Sequence, residues 1–261
     1  MSFADAAQVR SAETSVPAPR EQSPAAQDAV AGLVEVERAT QALYEVVDGL
    51  DHAFLRGPSR LPGWSRAHVV THLARNADAL VNLLTWAKTG VEHPMYPSAA
   101  DRDADIEEGA GRPPQLLRAD LDAACQRFAA AAHALPATAW EAEVVHPRTG
   151  VFLAHRVPWL RLRELWFHLV DLDAGVDFGD LPDHLLEAFV DDAVGQYADR
   201  ADVPDVRVEV TLPEGRQRSW ELTATSGPTV SGSAADVLGW LTGRHSGALL
   251  NGTAPTLPRW L

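Results

Sequence analysis

Apolar residues recur every three to four positions through four long stretches in the first two thirds of the chain, and this period limits the fold more than any other feature. Val30, Leu33, Val34, Val36, Leu43 and Val47 predict a first helix from residue 25 to Gly49, where glycine offers a stop. Leu61-Pro62-Gly63-Trp64-Ser65 reads as a turn with Ser65 placed to cap. Val69, Leu73, Leu80 and Leu84 then predict a second helix over 66–88. An alanine-rich third helix carrying Leu117, Leu121 and Phe128 is expected over 114–134, ended by Pro136. The fourth runs over 158–173, with Pro158 in its first turn. Four such rods pack as a bundle, and their facing side chains can build a metal site.

Residues 91–112 are rich in Pro, Asp and Gly and form a long connection, with a short helix expected over 101–108. Val144-Val145 and Val151-Phe152-Leu153 flank Pro147-Arg148-Thr149-Gly150 and predict a hairpin. After Gly179 the pattern changes to a helix over 182–198, strands over 206–212, 219–225 and 229–231, and a helix over 234–241. The expected fold class is therefore α+β: a four-helix bundle domain over 25–180 and a smaller C-terminal α+β domain over 181–261. Residues 1–24 carry Ser, Ala, Pro and Gln without periodicity and are expected to form a disordered tail.

With 46% hydrophobic and 22% charged residues, the chain can bury a core. Its 22 Lys plus Arg against 36 Asp plus Glu give a net charge of -14, which repels nucleic-acid phosphates and anionic lipid, so neither is an expected partner. Asp5 and Glu13 interrupt the opening residues before an apolar run of seven forms, and no window of 18 apolar residues exists. No secretory signal or membrane span is expected; the expected location is cytoplasmic and the expected state a monomer. Cys125 is the single cysteine, so any metal must be held by histidine and carboxylate. Lys88 is the single lysine beside abundant arginine and alanine, the usage of a GC-rich coding sequence of actinobacterial type.

In the fourth helix Glu164 and His168 stand four residues apart and project from one face, at ligand spacing. Two histidines on the second helix offer a third ligand. His72 lies inside the stripe of Val69, Leu73 and Leu80, whereas His68 lies at its edge, so His72 is the better candidate. Three protein ligands with one open position make a catalytic zinc site. Such pairs also occur by chance, and Arg161 or Arg163 offers an alternative partner for a buried Glu164. The residues alone leave both readings open. Asp171 continues the same face and offers either a second-nitrogen partner for a ligand histidine, a base, or a plain helix-end carboxylate. Cys125 sits near an apolar face and reads as a small core residue. Trp64, Trp86, Trp159 and Trp166 fall near the same region, where core packing explains them equally well. No serine-centred elbow, phosphate-binding glycine loop or dinucleotide fingerprint appears.

Several strings agree in order and spacing with one family. Leu61-Pro62-Gly63-Trp64-Ser65-Arg66-Ala67-His68, His72-Leu73-Ala74-Arg75-Asn76, Thr85-Trp86-Ala87-Lys88-Thr89-Gly90 with Met95-Tyr96, Arg163-Glu164-Leu165-Trp166-Phe167-His168 with Asp171, and Phe178-Gly179-Asp180-Leu181-Pro182 together resemble the mycothiol-dependent maleylpyruvate isomerases. The resemblance continues through Val230-Ser231-Gly232-Ser233, Thr242-Gly243-Arg244 and Pro258-Arg259-Trp260-Leu261, so it spans almost everything from about Val30 onward. It implies a DinB-like four-helix metalloenzyme fold, with zinc ligands at His72, Glu164 and His168 and a functionally needed arginine at Arg244 in the C-terminal domain. Arg102, in the connection after Met95-Tyr96, is placed to help bind an acidic ligand. His245 departs from the family pattern, which has glycine there.

The resemblance further implies zinc and mycothiol as cofactors and a small dicarboxylate as substrate: maleylpyruvate converted to fumarylpyruvate in gentisate breakdown. A thiolate adds to the conjugated alkene, the former double bond rotates, and elimination releases the trans product and regenerates the thiol. Zinc activates the thiol, and Arg244 takes a substrate carboxylate bidentately. A thiol S-transferase of the same fold is the second reading, and a metal-free small-molecule binding protein the third.

Overall fold

The computed structural model describes residues 23–198, 200–223 and 227–260, and its longest elements are the four expected rods. Helix α1 (Pro24–Asp48) starts where the Ser23 side chain accepts from the Ala26 N–H and Pro24 occupies the first turn. The tail expected over 1–24 lies outside the described residues, except for Ser23 and Pro24, which begin this helix. Along α1, Ala26, Ala29, Leu33, Val36, Ala39, Leu43 and Val47 are buried on one stripe. A short α2 (His52–Arg56), which the sequence pattern does not reveal, precedes the Pro62-Gly63 turn.

Helix α3 (Arg66–Thr89) is the central rod. Fifteen of its 24 residues are buried, too many for a helix with one solvated face. It starts on a reciprocal cap, in which Ser65 accepts from the His68 N–H and His68 Nδ1 accepts from the Ser65 N–H at 3.2 Å. Gly90, at φ +70°, ends it in the left-handed conformation that glycine adopts without steric cost. Helix α4 (Ala99–Ala110) fills the long connection, two residues longer at each end than expected because Ser98 caps it by accepting from the Asp101 N–H. It lies close on α3: a Cβ at Gly109 would meet Thr71 Cγ2 at 2.3 Å, so this crossing requires glycine.

Helices α5 (Pro114–His133) and α6 (Val157–Asp171) complete the bundle, α3 packing on both and α1 on α6. Between them the expected hairpin forms as antiparallel β1 (Glu143–His146) and β2 (Gly150–Leu153). The N-terminal end of α3 is tied to the C-terminal end of α6 by Arg66. Its buried guanidinium donates from Nε to the Leu172 carbonyl (2.6 Å) and from Nη2 to the Asp173 carbonyl (3.2 Å), satisfying groups that a helix end leaves open. The two helices therefore run antiparallel, with their functional faces held opposite each other.

After residue 180 come α7 (Asp183–Gly195), β3 (Arg207–Thr211), β4 (Gln217–Glu221), β5 (Thr229–Ser233) and α8 (Ala234–Leu241). The sheet order is β4-β3-β5, with β3 and β4 antiparallel and β3 and β5 parallel. Strand β4 begins two residues earlier than expected, because the turn before it ends at Gly215 (φ +78°) and Gln217 pairs with Thr211. Val208 and Val210 turn inward, and α8 packs on α7 and on this sheet. Phe167 of α6 meets Phe178, Phe189 and Trp260 at centroid distances of 5.1–5.4 Å, so one core runs from the bundle into the C-terminal elements. No helix among the described residues is long and apolar enough to cross a membrane.

Candidate active site

Glu164 and His168 share one face of α6 by helical spacing, and the Arg66 tie brings His72 of α3 opposite them. His72 Nε2 donates to Glu164 Oε2 (2.9 Å), and His168 Nε2 lies 3.2 Å from the same oxygen. One ligand atom from each of the three residues lies within 4.8 Å of the others. His168 Nδ1 donates to Asp171 Oδ2 at 2.8 Å, and Asp171 is 0% exposed. Arg244 binds this carboxylate along an edge, Nε to Oδ1 at 3.0 Å and Nη2 to Oδ2 at 2.7 Å, while its Nη1 donates to the Thr242 carbonyl at 3.0 Å. All six residues named in the sequence reading are thus brought together, since Arg102 Nη2 reaches His72 Nδ1 at 3.3 Å.

The other readings of these residues resolve on geometry. Neither Arg161 nor Arg163 partners Glu164: the first donates to the Leu73 carbonyl and Asn76, and the second to Asp192. His68 serves as the helix cap, with its Nε2 3.1 Å from exposed Glu107. Of the four tryptophans, Trp64 lines the site, 5.4 Å from the His72 ring, whereas Trp159 packs on Phe189 and donates to Asp192. Arg244 was expected to present its fork to a substrate carboxylate, but Asp171 holds that edge. Three of its five N–H groups are engaged and two remain.

Protonation follows from this geometry. Burial disfavours a charge on His168, but its bonds to Asp171 and Glu164 outweigh that and push its pKa up to about 9. Both ring nitrogens then donate, as two carboxylate partners require. Burial lowers His72 to about 4 against the opposing bond to Glu164. His72 is therefore neutral, its Nδ1 bare toward Arg102, which only donates. Burial raises the carboxyls of Glu164 and Asp171, yet their histidine partners, and Arg244 for Asp171, leave both below the ordinary range. The donor set suits zinc: two imidazoles, one ionised carboxylate, and a second carboxylate orienting a ring through its other nitrogen.

A metal on His168 Nε2 must displace the proton held there. Zinc uptake by metal-free protein should release about one proton per ion at pH 7, and apparent affinity should rise about tenfold per pH unit until it levels near pH 9. Chelator competition across pH, with calorimetry in buffers of different ionisation enthalpy, measures both. A flat profile would show that His168 carries no displaceable proton.

These groups lie in the wall of a cavity of about 920 Å³, closed on one side by the bundle and on the other by the segments after α8 and near the chain's end. Arg60, Arg148, Arg163, Arg259 and Trp260 also line it. Arg163, Arg259 and Trp260 stand in the strings that carry the family resemblance without a site role read for them there, and Arg60 and Arg148 carry no local pattern, because these residues come from four separate parts of the chain. His245 lies beside α8 over Gly239, where a Cβ would meet its Nδ1 at 2.3 Å, and its Nε2 is 3.3 Å from Asp177.

A four-helix bundle whose facing helices turn two histidines and a carboxylate toward a cation-lined cavity defines a helical-bundle protein with a candidate metal centre. A sequence profile of the N-terminal domain of mycothiol maleylpyruvate isomerase matches residues 36–173. A crystal structure of the mycothiol-dependent maleylpyruvate isomerase bearing a histidine-to-alanine substitution superposes with a TM-score of 0.81, at 30% identity over 89% of this chain and 97% of that one. Another crystal structure of the mycothiol-dependent maleylpyruvate isomerase gives 0.78, with the same identity and coverage. No curated protein sequence matches significantly. The chain belongs to the mycothiol maleylpyruvate isomerase family, a family of enzymes with a DinB-like fold.

Proposed function

We propose that this protein is a zinc- and mycothiol-dependent isomerase that converts maleylpyruvate to fumarylpyruvate in gentisate breakdown. The observation that carries the reading is the meeting of His72, Glu164 and His168 within 4.8 Å on an arginine-lined cavity, in a chain of this family. When bound, a zinc ion supplies the acidity that makes a coordinated thiol nucleophilic, and the thiol supplies the reversible addition that frees the double bond to turn. His72, Glu164 and His168 would hold the ion. Asp171 keeps the His168 ring oriented with Nε2 inward, and Arg244 in turn keeps Asp171 ionised and fixed.

The two remaining N–H groups of Arg244 face no internal acceptor among the described residues and are available to the substrate's anionic end. Arg102 contributes through its position between His72, Tyr96 and Trp64, with its guanidinium 5.9 Å from each of the two aromatic rings. Its contact with His72 needs a bare Nδ1 and ends when that nitrogen carries the ring proton, which leaves Arg102 free for a ligand. Trp64 and Trp260 add aromatic surface to the same cavity lining.

Isomerisation of maleylpyruvate is measured with mycothiol, without thiol, and with glutathione for comparison. Product formation that needs mycothiol and returns it unconsumed is expected. Stoichiometric thiol consumption instead identifies an S-transferase, and purified protein without zinc points to a metal-free binding protein. Arg244→Ala should keep about one zinc per chain and lose roughly 100-fold in turnover, the scale of removing an anion-facing donor from a preorganised site. Full turnover with unchanged KM would remove Arg244 from the reaction.

A further inference from the structure

The charges lining the cavity do not balance. Of its six arginines, Arg60 pairs with Asp173 and Asp177, Arg102 with Asp103, Arg163 with Asp192 and Arg244 with Asp171. Arg148 and Arg259 remain, and among the described residues neither guanidinium has a carboxylate or hydrogen-bond partner. The two carboxylates that line the cavity, Glu164 and Asp171, are engaged by His72, His168 and Arg244. Two exposed cations without a carboxylate partner therefore line the same cavity, where both can meet an anion entering from solvent.

Both side chains project from fixed backbone. Arg148 lies in the β1–β2 turn, where His146 Nδ1 accepts from the Arg148 N–H (3.2 Å) and the Thr149 N–H (3.4 Å). The Arg259 carbonyl accepts from Arg200 Nη1 at 2.9 Å, and neighbouring Trp260 packs on Phe167 at 5.1 Å. The guanidinium of Arg148 is close enough to its neighbours for their charges to act on it. Partial withdrawal from water lowers its pKa against the pull of Glu164, and the cations Arg163, Arg102 and Arg259 lower it further. A bound anion would relieve that repulsion.

We propose that Arg148 and Arg259 form a carboxylate-binding pair on the cavity wall that takes one carboxylate of the substrate, leaving the other for the Arg244 side. The planar forks of the two residues suit a carboxylate, and they join the bundle's hairpin to the C-terminal segment across the bound molecule. The pair sets selectivity for dianionic over monoanionic substrates. The identity of the anion rests on the isomerase reading.

Arg148→Gln, Arg259→Gln and the double variant are assayed on zinc-loaded protein, varying maleylpyruvate and mycothiol independently. The KM for maleylpyruvate should rise about tenfold in each single variant, with the KM for mycothiol, the zinc content and kcat within about twofold of the unmodified protein. Arg148→Lys, which keeps charge but not the fork, should recover part of the loss. An unchanged KM for maleylpyruvate, or a rise confined to mycothiol, overturns the pair. Binding of maleate, followed by tryptophan fluorescence, is a second readout independent of turnover. Saturable binding that weakens in the Gln variants supports the pair, and binding of equal strength in all of them overturns it. If the unmodified protein fails to isomerise maleylpyruvate but binds maleate through these arginines, the isomerase reading falls and the pair stands.

Discussion

Glu164→Ala should reduce zinc from about one ion per chain to background and lower thiol-dependent turnover by at least about 1000-fold, since three protein ligands are the minimum of a catalytic zinc site. The expectation rests on the central place of this carboxylate: one oxygen, Oε2, meets both His72 and His168. Its loss also leaves two buried imidazole N–H groups without an acceptor, so the histidines no longer converge. Glu164→Gln separates these effects, because an amide of the same shape keeps one acceptor and removes the charge. Metal analysis after dialysis, beside the isomerisation assay, reads the outcome. A Glu164→Ala protein that holds stoichiometric zinc would remove the proposed centre.

The largest effect on stability is expected at Arg161. Its side chain is 1% exposed and donates from Nη1 to the Leu73 carbonyl (2.8 Å) and Asn76 Oδ1 (2.9 Å), and from Nη2 to Cys125 Sγ (3.3 Å). Arg161→Ala opens a cavity and leaves acceptors unpaired in the interior, so it should cost about 3–5 kcal/mol. For a chain of this size that lowers Tm by roughly 10 °C. Because Arg161 joins α6 to α3 within a turn of Glu164, zinc affinity should fall as well. Calorimetry on metal-free protein checks the stability. A loss under about 1 kcal/mol would show that the cost of burying the guanidinium cancels its three bonds.

The four rods were legible because each buries a stripe, and a buried stripe must repeat at the helical period. The same reasoning chose His72 over His68. The two histidines are four residues apart on one helix, and their angular positions relative to Val69, Leu73 and Leu80 separate them. The engagement of His68 as a reciprocal cap with Ser65 was not legible, since capping boxes are read from Glu or Gln at that position. Helix α2, five residues long, is too short to show a period. The parallel pairing of β3 with β5 is a long-range choice that alternation alone does not encode.

The site divides in the same way. Helical spacing alone put Glu164, His168 and Asp171 on one face, because 3.6 residues per turn makes positions three and four apart neighbours. Which groups stand opposite them depends on how separate helices dock. The Arg66 tie at the α6 terminus sets α3 against that face, the Asp171 carboxylate takes the fork of Arg244, and Arg148 and Arg259 reach one cavity from positions 111 residues apart in the chain. Local periodicity therefore determined the rods and the ligands each one carries. Only tertiary packing decided the partners of those ligands, because contacts between distant segments leave no repeat in the order of the residues.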